Sequence, residues 1–372
     1  MPRAASLDDI PALLAIENRC FNSDRLSRRS FRHLLTRGNA MTLVEEDAGR
    51  IRGYVLLLFS RGTLMARLYS IAVHPDFVRR RIGDRLLEVA ESAALKRDCV
   101  SMRLEVRRDN PPSLNLFRRH GYRQFKEVLD YYEDHMAALR FEKRLVPQLQ
   151  LALVKVPYYQ QTLDFTCGPA ALMMAMKALE PALELGRKLE LRLWREATTI
   201  FMTAGHGGCG PYGLALSAYR RGFDLEIHVN EDGVFLVDSV RSLEKKEVMR
   251  LVQEDWIEEL SQLPVVLRRG SLGVDELRRK FDAGGIPLVL ISSYRIYGER
   301  FPHWVVVTGF DDHYIYVHDP FVDVENSETV TDSVNMPIPH REFQRMARYG
   351  KAAQKAVLIL YRPNRRSEPP AP

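Results

Sequence analysis

The sequence predicts an α/β domain followed by an α+β domain, and three observations carry that prediction. Over residues 1–145, helix-period and strand-period stretches alternate, as a sheet with covering helices requires. Near the middle, Thr166-Cys167-Gly168-Pro169 opens a run of Ala, Leu, Met and Lys that ends at Leu179, strong helix formers behind a first-turn proline. Far along the chain, apolar runs at 304–307 and 314–317 flank the turn-forming stretch Gly309-Phe310-Asp311-Asp312-His313 and read as a hairpin.

In the first domain, Ser6-Leu7-Asp8-Asp9 caps a helix whose Ile10, Leu13 and Leu14 share one face, and Phe31, Leu34 and Leu35 mark a second helix. Strands at 41–46 and 51–59 flank the turn Asp47-Ala48-Gly49, and a third at 68–73 stops at His74-Pro75. The loop Val78-Arg79-Arg80-Arg81-Ile82-Gly83 then opens a helix that turns Leu86, Leu87, Ala90 and Leu95 inward. Strand, basic glycine-containing loop and helix form an anion-binding layout, because unpaired N–H groups and the helix dipole point at the loop.

In the second domain, Cys167 stands at a helix N-terminus, where the dipole and free N–H groups favour thiolate over thiol. Gln161 lies six residues earlier in an aperiodic segment, so its amide can donate to an oxyanion formed near the helix start. His303 and Asp319 are equidistant from Asp311, so the hairpin should set them side by side, an imidazole held by a carboxylate and facing a cysteine. Trp304 shields that imidazole or fills the core. The loop at 205–211 is glycine-dense and flexible in composition, able to line a cleft or merely connect. Its Cys209 ranks below Cys167, having no Gln at useful spacing. A helix at 274–283 stops at Gly284-Gly285, and a buried strand at 286–292 feeds the hairpin. His313 and His318 read as turn and surface residues.

Residues 141–155 show a mixed pattern, with a linker at 146–155 and the second domain over 156–362. The tail at 363–372, with its arginine pair and prolines, reads as disordered. The apolar runs at 55–59 and 286–291 are too short to span a bilayer, and the first residues lack a signal-peptide core, so a cytoplasmic protein with no membrane partner is expected. Cys20, Cys99, Cys167 and Cys209 have no metal-ligand spacing, which predicts free thiols and no metal. Residues 1–150 carry 27 Lys and Arg against 19 Asp and Glu, while residues 151–372 carry 27 against 29. The basic first half suits a polyanionic ligand such as a nucleotide cofactor. No nucleic-acid motif accompanies it, and no nucleic-acid partner is expected.

Ile71-Ala72-Val73-His74-Pro75, the arginine loop, Leu104-Glu105-Val106-Arg107, and Asn110 leading through Leu116-Phe117 to Gly121-Tyr122 give residues 2–145 a resemblance to the GNAT acetyltransferases. Within them, the chain most resembles those acting on the N-terminal alanine of ribosomal proteins. The resemblance implies an acetyl-CoA site at Ile71, Val73, Arg79, Arg80, Arg81, Ile82, Gly83, Asp84 and Asn110, with Glu105 as base for an amine. Three residues depart from the family pattern. Val78 replaces Gln or Arg, Arg81 replaces a glycine, and Phe117 replaces a tyrosine that protonates the leaving thiolate, so CoA binding with slow or absent transfer is expected.

From 156 to about 360, the Gln161 to Cys167 spacing, Thr166-Cys167-Gly168-Pro169, and the His303 to Asp319 interval ending in Asp319-Pro320 resemble another family. It comprises the papain-like cysteine peptidases that remove double-glycine leaders in bacteriocin exporters, and their soluble relatives. The resemblance implies Cys167 as nucleophile, His303 as base, Asp319 as its orienter and Gln161 in the oxyanion hole, acting on a peptide or protein. Such peptidases are normally attached to a transporter, and without one secretion-coupled leader removal is not expected. Together the readings give an α/β GNAT fold followed by an α+β papain-like cysteine peptidase fold. The rival is an adaptor that binds peptide or CoA without turnover.

Overall fold

In the computed structural model the chain divides into two compact units, Met1–Leu149 and Gln150–Pro372. The structure describes residues 2–362 apart from 37–38, 61, 147–151, 154–155, 199–206, 232, 238–239, 241 and 327. The expected tail, most of the expected linker, and Gly205 and His206 of the glycine-dense loop lie outside the described residues.

The first unit holds strands β1 (Arg3–Ala4), β2 (Ala40–Asp47), β3 (Arg50–Phe59), β4 (Met65–Val73), β5 (Ser101–Arg107), β6 (Arg123–Val128) and β7 (Ala138–Arg144). Its helices are α1 (Ile10–Cys20), α2 (Arg28–Thr36), α3 (Ile82–Leu95) and α4 (Pro111–Arg119). The sheet order is β1-β2-β3-β4-β5-β7-β6, with β4 and β5 its parallel neighbours. The chain enters α1 where the Ser6 N–H donates to the Asp9 carboxylate at 2.7 Å. Ile10, Leu13 and Ile16 then face the core, and Phe31 of α2 meets Tyr54 of β3 edge-on. Between β2 and β3, Ala48 (φ 49°) and Gly49 (φ 74°) both adopt the left-handed conformation that a two-residue hairpin loop demands.

Two expectations change here. The buried stripe of α3 runs through Leu86, Leu87, Ala90 and Ala94, while Leu95 is 43% exposed, because the 3.6-residue period carries the inner face to Ala94. Phe141 is the buried centre of β7, a strand inserted between β5 and β6, rather than part of a mixed segment. Arg140, on the opposite face, is also buried, as an ion partner of Glu105, and this removes the apolar-polar alternation that marks a strand in sequence.

One irregularity shapes the first unit's chemistry. Leu56 pairs with Ser70 and Leu57 with Leu68, so Tyr69 is an extra residue that bends β4. The β4–β5 pairing runs only from Met65↔Ser101 to Leu68↔Leu104, and beyond it the two strands part.

The second unit holds β8 (Ala152–Leu153), β9 (Asp224–Val229), β10 (Val266–Arg269), β11 (Ile286–Ser292), β12 (Pro302–Phe310), β13 (Tyr314–His318), β14 (Met336–Pro339) and β15 (Ala356–Tyr361). Its helices are α5 (Cys167–Leu179), α6 (Arg187–Ala197), α7 (Pro211–Tyr219), α8 (Leu243–Ser261), α9 (Val274–Asp282), α10 (Tyr294–Tyr297), α11 (Val330–Ser333) and α12 (His340–Met346). The sheet runs β10-β9-β15-β11-β12-β13-β14, with β8 joined to β12. Helix α5 packs on β11 and β12 and is buried nearly all round, which accounts for its uniformly apolar composition. His318 is buried, not superficial. Its Nε2 donates to the Val156 carbonyl at 2.9 Å and its Nδ1 accepts from the Asn335 N–H at 2.9 Å, which defines a neutral structural imidazole.

Candidate active site

Strand β12 delivers His303 and the end of β13 delivers Asp319, both essentially inaccessible to water. His303 Nε2 lies 2.6 Å from Asp319 Oδ1. The two residues meet, but not by simple symmetry about Asp311. Val306 pairs with His318 and Val307 with Val317, and the register then slips across Thr308. Asp319 therefore lies past the end of β13, diagonal to His303, and curls back through its own Oδ1, which accepts the Phe321 N–H at 2.9 Å. Its other oxygen accepts the Tyr297 hydroxyl at 2.8 Å. Cys167, the first residue of α5, stands close enough to His303 for its charge to act on the imidazole. Because Asp319 occupies Nε2, Nδ1 is the ring nitrogen left for the thiol. Burial pulls the pKa of His303 down, but the charges of Asp319 and Cys167 outweigh it and raise the imidazole to about 10.

Gln161 lies beside the same group, its backbone N–H donating to the Pro320 carbonyl at 2.9 Å. Its Nε2 donates to the Leu163 carbonyl at 2.9 Å, while Oε1 is buried without a hydrogen-bond partner. One of the two amide hydrogens is thus committed, and the second is not used by that bond. Trp304 both fills core and braces the site. Its Nε1 donates to the Cys209 carbonyl at 3.0 Å, and a Cβ at Gly168 would approach its Cδ1 to 3.3 Å. The described part of the glycine-dense loop is pinned, because the Trp194 indole donates to Gly207 and Thr198 bridges to Cys209. Burial, reinforced by the nearby Cys167, pushes the Cys209 thiol well above its ordinary range and leaves it a poor nucleophile.

Two contributors escaped the sequence reading. Tyr297 gave no signal. Glu190 gave one, since it shares the buried stripe of α6 with Leu193 and Ala197, an acid where the helical period calls for an apolar residue.

In the first unit, cavities of about 600 and about 1020 Å³ lie where β4 leaves β5, sharing Cys20, Phe21, Ile71, Asn110, Pro112 and Ser113. The larger also includes Val73, Arg79, Arg81, Ile82, Gly83 and Asp84. Arg80 is not among its lining residues, and its guanidinium lies over the Phe77 ring. A hydrogen bond from His120, joined by Arg119, holds the Asp84 carboxyl below its usual range. Arg81 takes a left-handed conformation (φ 54°), which accounts physically for a glycine at that point in related loops. Asn110 Oδ1 caps α4 by accepting the Ser113 N–H at 3.2 Å. The smaller cavity is lined by Glu105, Phe117, Tyr131 and Tyr132, among others. Glu105 is held rather than free, with Arg67 Nε at 3.0 Å and Arg140 Nε at 3.4 Å. Phe117 is buried edge-on against Tyr122.

A family model described as Peptidase_C39 like family matches residues 156–361, and one for the acetyltransferase (GNAT) family matches residues 10–122. The N-alpha-acetyltransferase of Sulfurisphaera tokodaii is 30% identical over 144 residues, covering 36% of this chain and 85% of that protein. The [ribosomal protein bS18]-alanine N-acetyltransferase of Salmonella typhimurium is 28% identical over 127 residues, covering 34% and 83%. The crystal structure of the ribosomal-protein-S18-alanine N-acetyltransferase from Escherichia coli matches at 22% identity and a TM-score of 0.36, covering 40% of this chain and 98% of that one. Among the described residues, no group of three or more His, Cys, Asp or Glu could hold a metal ion, and no helix is long and apolar enough to cross a membrane.

Proposed function

We propose that this chain, which belongs to the Peptidase_C39 like family over residues 156–361 and carries a GNAT acetyltransferase domain ahead of it, is a two-activity enzyme. Its second unit is a thiol hydrolase that cuts a peptide or amide bond, and its first is an acetyl-CoA-dependent N-acetyltransferase. The observation that supports the hydrolase most is the 2.6 Å His303–Asp319 pair beside a cysteine at the first position of α5.

In this reading the Cys167 thiolate attacks the scissile carbonyl, forming a C–S bond as the carbonyl electrons move onto oxygen, where the second Gln161 amide hydrogen meets them. The oxyanion collapses, the C–N bond breaks, and the departing amine takes its proton from His303. Water then attacks the thioester while His303 removes its proton, and Cys167 departs. Asp319 keeps the ring oriented, itself held by Tyr297 and Phe321. An acyl-enzyme on Cys167 that water discharges is the experimental signature.

The splayed strands of the first unit suit a CoA thioester, which when bound supplies the acetyl group. The α3 N-terminus at Ile82 and Gly83 offers backbone donors to phosphates, and Arg79 and Arg81 line the same cavity. Glu105 takes the amine's proton. Phe117 offers none to a departing thiolate, an observation that favours a second reading for this unit, CoA binding with little turnover.

CoA affinity measured by calorimetry should fall as salt rises, since these contacts are screened over about 8 Å at physiological ionic strength. Arg81→Gly should weaken binding several-fold at low salt while stabilising the loop by about 1 kcal/mol through relief of its left-handed backbone. Tighter binding by that variant would mean that Arg81 obstructs the phosphates.

A further inference from the structure

Glu190 is fully buried in α6, yet its carboxylate receives four donors. Oε1 accepts from the Thr162 N–H at 2.8 Å and the Thr166 hydroxyl at 2.5 Å. Oε2 accepts from the Thr162 hydroxyl at 2.7 Å and the Tyr159 hydroxyl at 3.0 Å. These donors replace the water that burial removes, so the group is fully served by the protein. Their positions in sequence are the informative part. Thr162 follows Gln161 and Thr166 precedes Cys167, so one carboxylate from another helix clamps the 161–167 loop at both ends.

The clamp reaches the Gln161 side chain as well. The Thr166 oxygen lies 2.8 Å from the Leu163 carbonyl, but a hydroxyl has a single proton, and Glu190 is the nearer and charged acceptor. With that proton drawn to Glu190, the two lone pairs of the Leu163 carbonyl are left to the Thr166 N–H at 3.1 Å and the Gln161 amide at 2.9 Å. The rotamer of the oxyanion donor is therefore fixed through Thr166, and its backbone through Thr162.

We propose that Glu190 is the positioning residue of the nucleophile loop, setting the Gln161 amide against Cys167. This rests on the reading of Cys167 as nucleophile and Gln161 as oxyanion donor. Glu190 touches no reacting atom. Its loss should impair steps that build an oxyanion and spare those that need only the thiol.

Two probes on the full chain at neutral pH separate these effects. Iodoacetamide reacts by displacement at a saturated carbon and forms no oxyanion, whereas p-nitrophenyl acetate acylates through a tetrahedral oxyanion. Glu190→Gln keeps the volume of the side chain but gives up one acceptor oxygen. Alkylation of Cys167 in that variant should stay within about threefold of the parent, while acylation falls roughly 10- to 100-fold, short of the 10² to 10³ expected for outright loss of an oxyanion donor. Glu190→Gln added to Gln161→Ala should lower acylation little further than Gln161→Ala alone, since both act on one interaction. Glu190→Ala should show the same split with a larger acylation loss.

A parallel fall of both rates, tracking a lower melting temperature, would reduce Glu190 to a structural role and overturn the proposal. Unchanged acylation, or fully additive Glu190 and Gln161 effects, would overturn it equally. If the parent protein is not acylated at Cys167 in preference to its other thiols, the hydrolase reading itself fails and this proposal with it, a result visible before any variant is made.

Discussion

Replacing His303 by alanine is expected to slow acylation of Cys167 by about 10³-fold or more and to erase the preference of an alkylating agent for that thiol, since a nucleophile and its base act as one unit. In the parent protein the competing thiols are handicapped in different ways. Burial raises the Cys99 thiol to about 11 and lifts Cys209 well above its ordinary range, and burial beside Glu17 raises Cys20. Cys167 alone has a helix N-terminus and an imidazole that keeps its proton near neutrality. Peptide mapping after brief iodoacetamide treatment should find label on Cys167 first, and equal labelling of all four thiols would refute this.

The same pair sets a pH signature. His303 titrates near 10 in the folded chain against an ordinary 6.5, so its contribution to stability is complete below pH 6.5 and is lost as pH climbs through about 10. The melting-temperature gap between the parent and Asp319→Asn should therefore narrow across that window.

Phe117→Tyr is expected to raise acetyl transfer to peptides with free N-termini by about 10², within the range that general acid catalysis contributes. Phe117 lines the same cavity as Glu105, which is where the added phenolic hydroxyl would have to act. Adding Glu105→Gln should abolish the gain if that carboxylate removes the amine's proton. Because Arg67 and Arg140 hold Glu105, its variant must be compared with the parent for retained CoA binding. Thiol release during turnover measures the rate. No change on installing the tyrosine would show that leaving-group protonation is not what limits this domain.

The features most legible in sequence were those with strong local causes. The α5 helix announced itself through Pro169 and its apolar composition, the β2–β3 hairpin through Gly49, and the His303 hairpin through its two apolar runs. Long-range causes were hidden. The turn is centred between Asp312 and His313 rather than on Asp311, which moves Asp319 off the position opposite His303, and the irregularity at Thr308 restores only one residue of that offset, a shift no sequence period reports. Strand β7 was masked because Arg140 spends its charge on Glu105 in the interior. His318 looked superficial because the partners that satisfy it come from Val156 and Asn335, 162 and 17 residues away. Glu190 acquires its meaning only when α6 is folded against the 161–167 loop.

The central claim, that the second unit is a Cys167 hydrolase, is tested most directly by burst kinetics with p-nitrophenyl acetate coupled to intact-mass and peptide mapping. The account predicts a rapid release of about one equivalent of nitrophenol per chain, an acetyl group mapped to Cys167, and slower steady release as water discharges it. A burst that survives in Cys167→Ala, or acetyl groups spread over Cys20, Cys99 and Cys209, would contradict it.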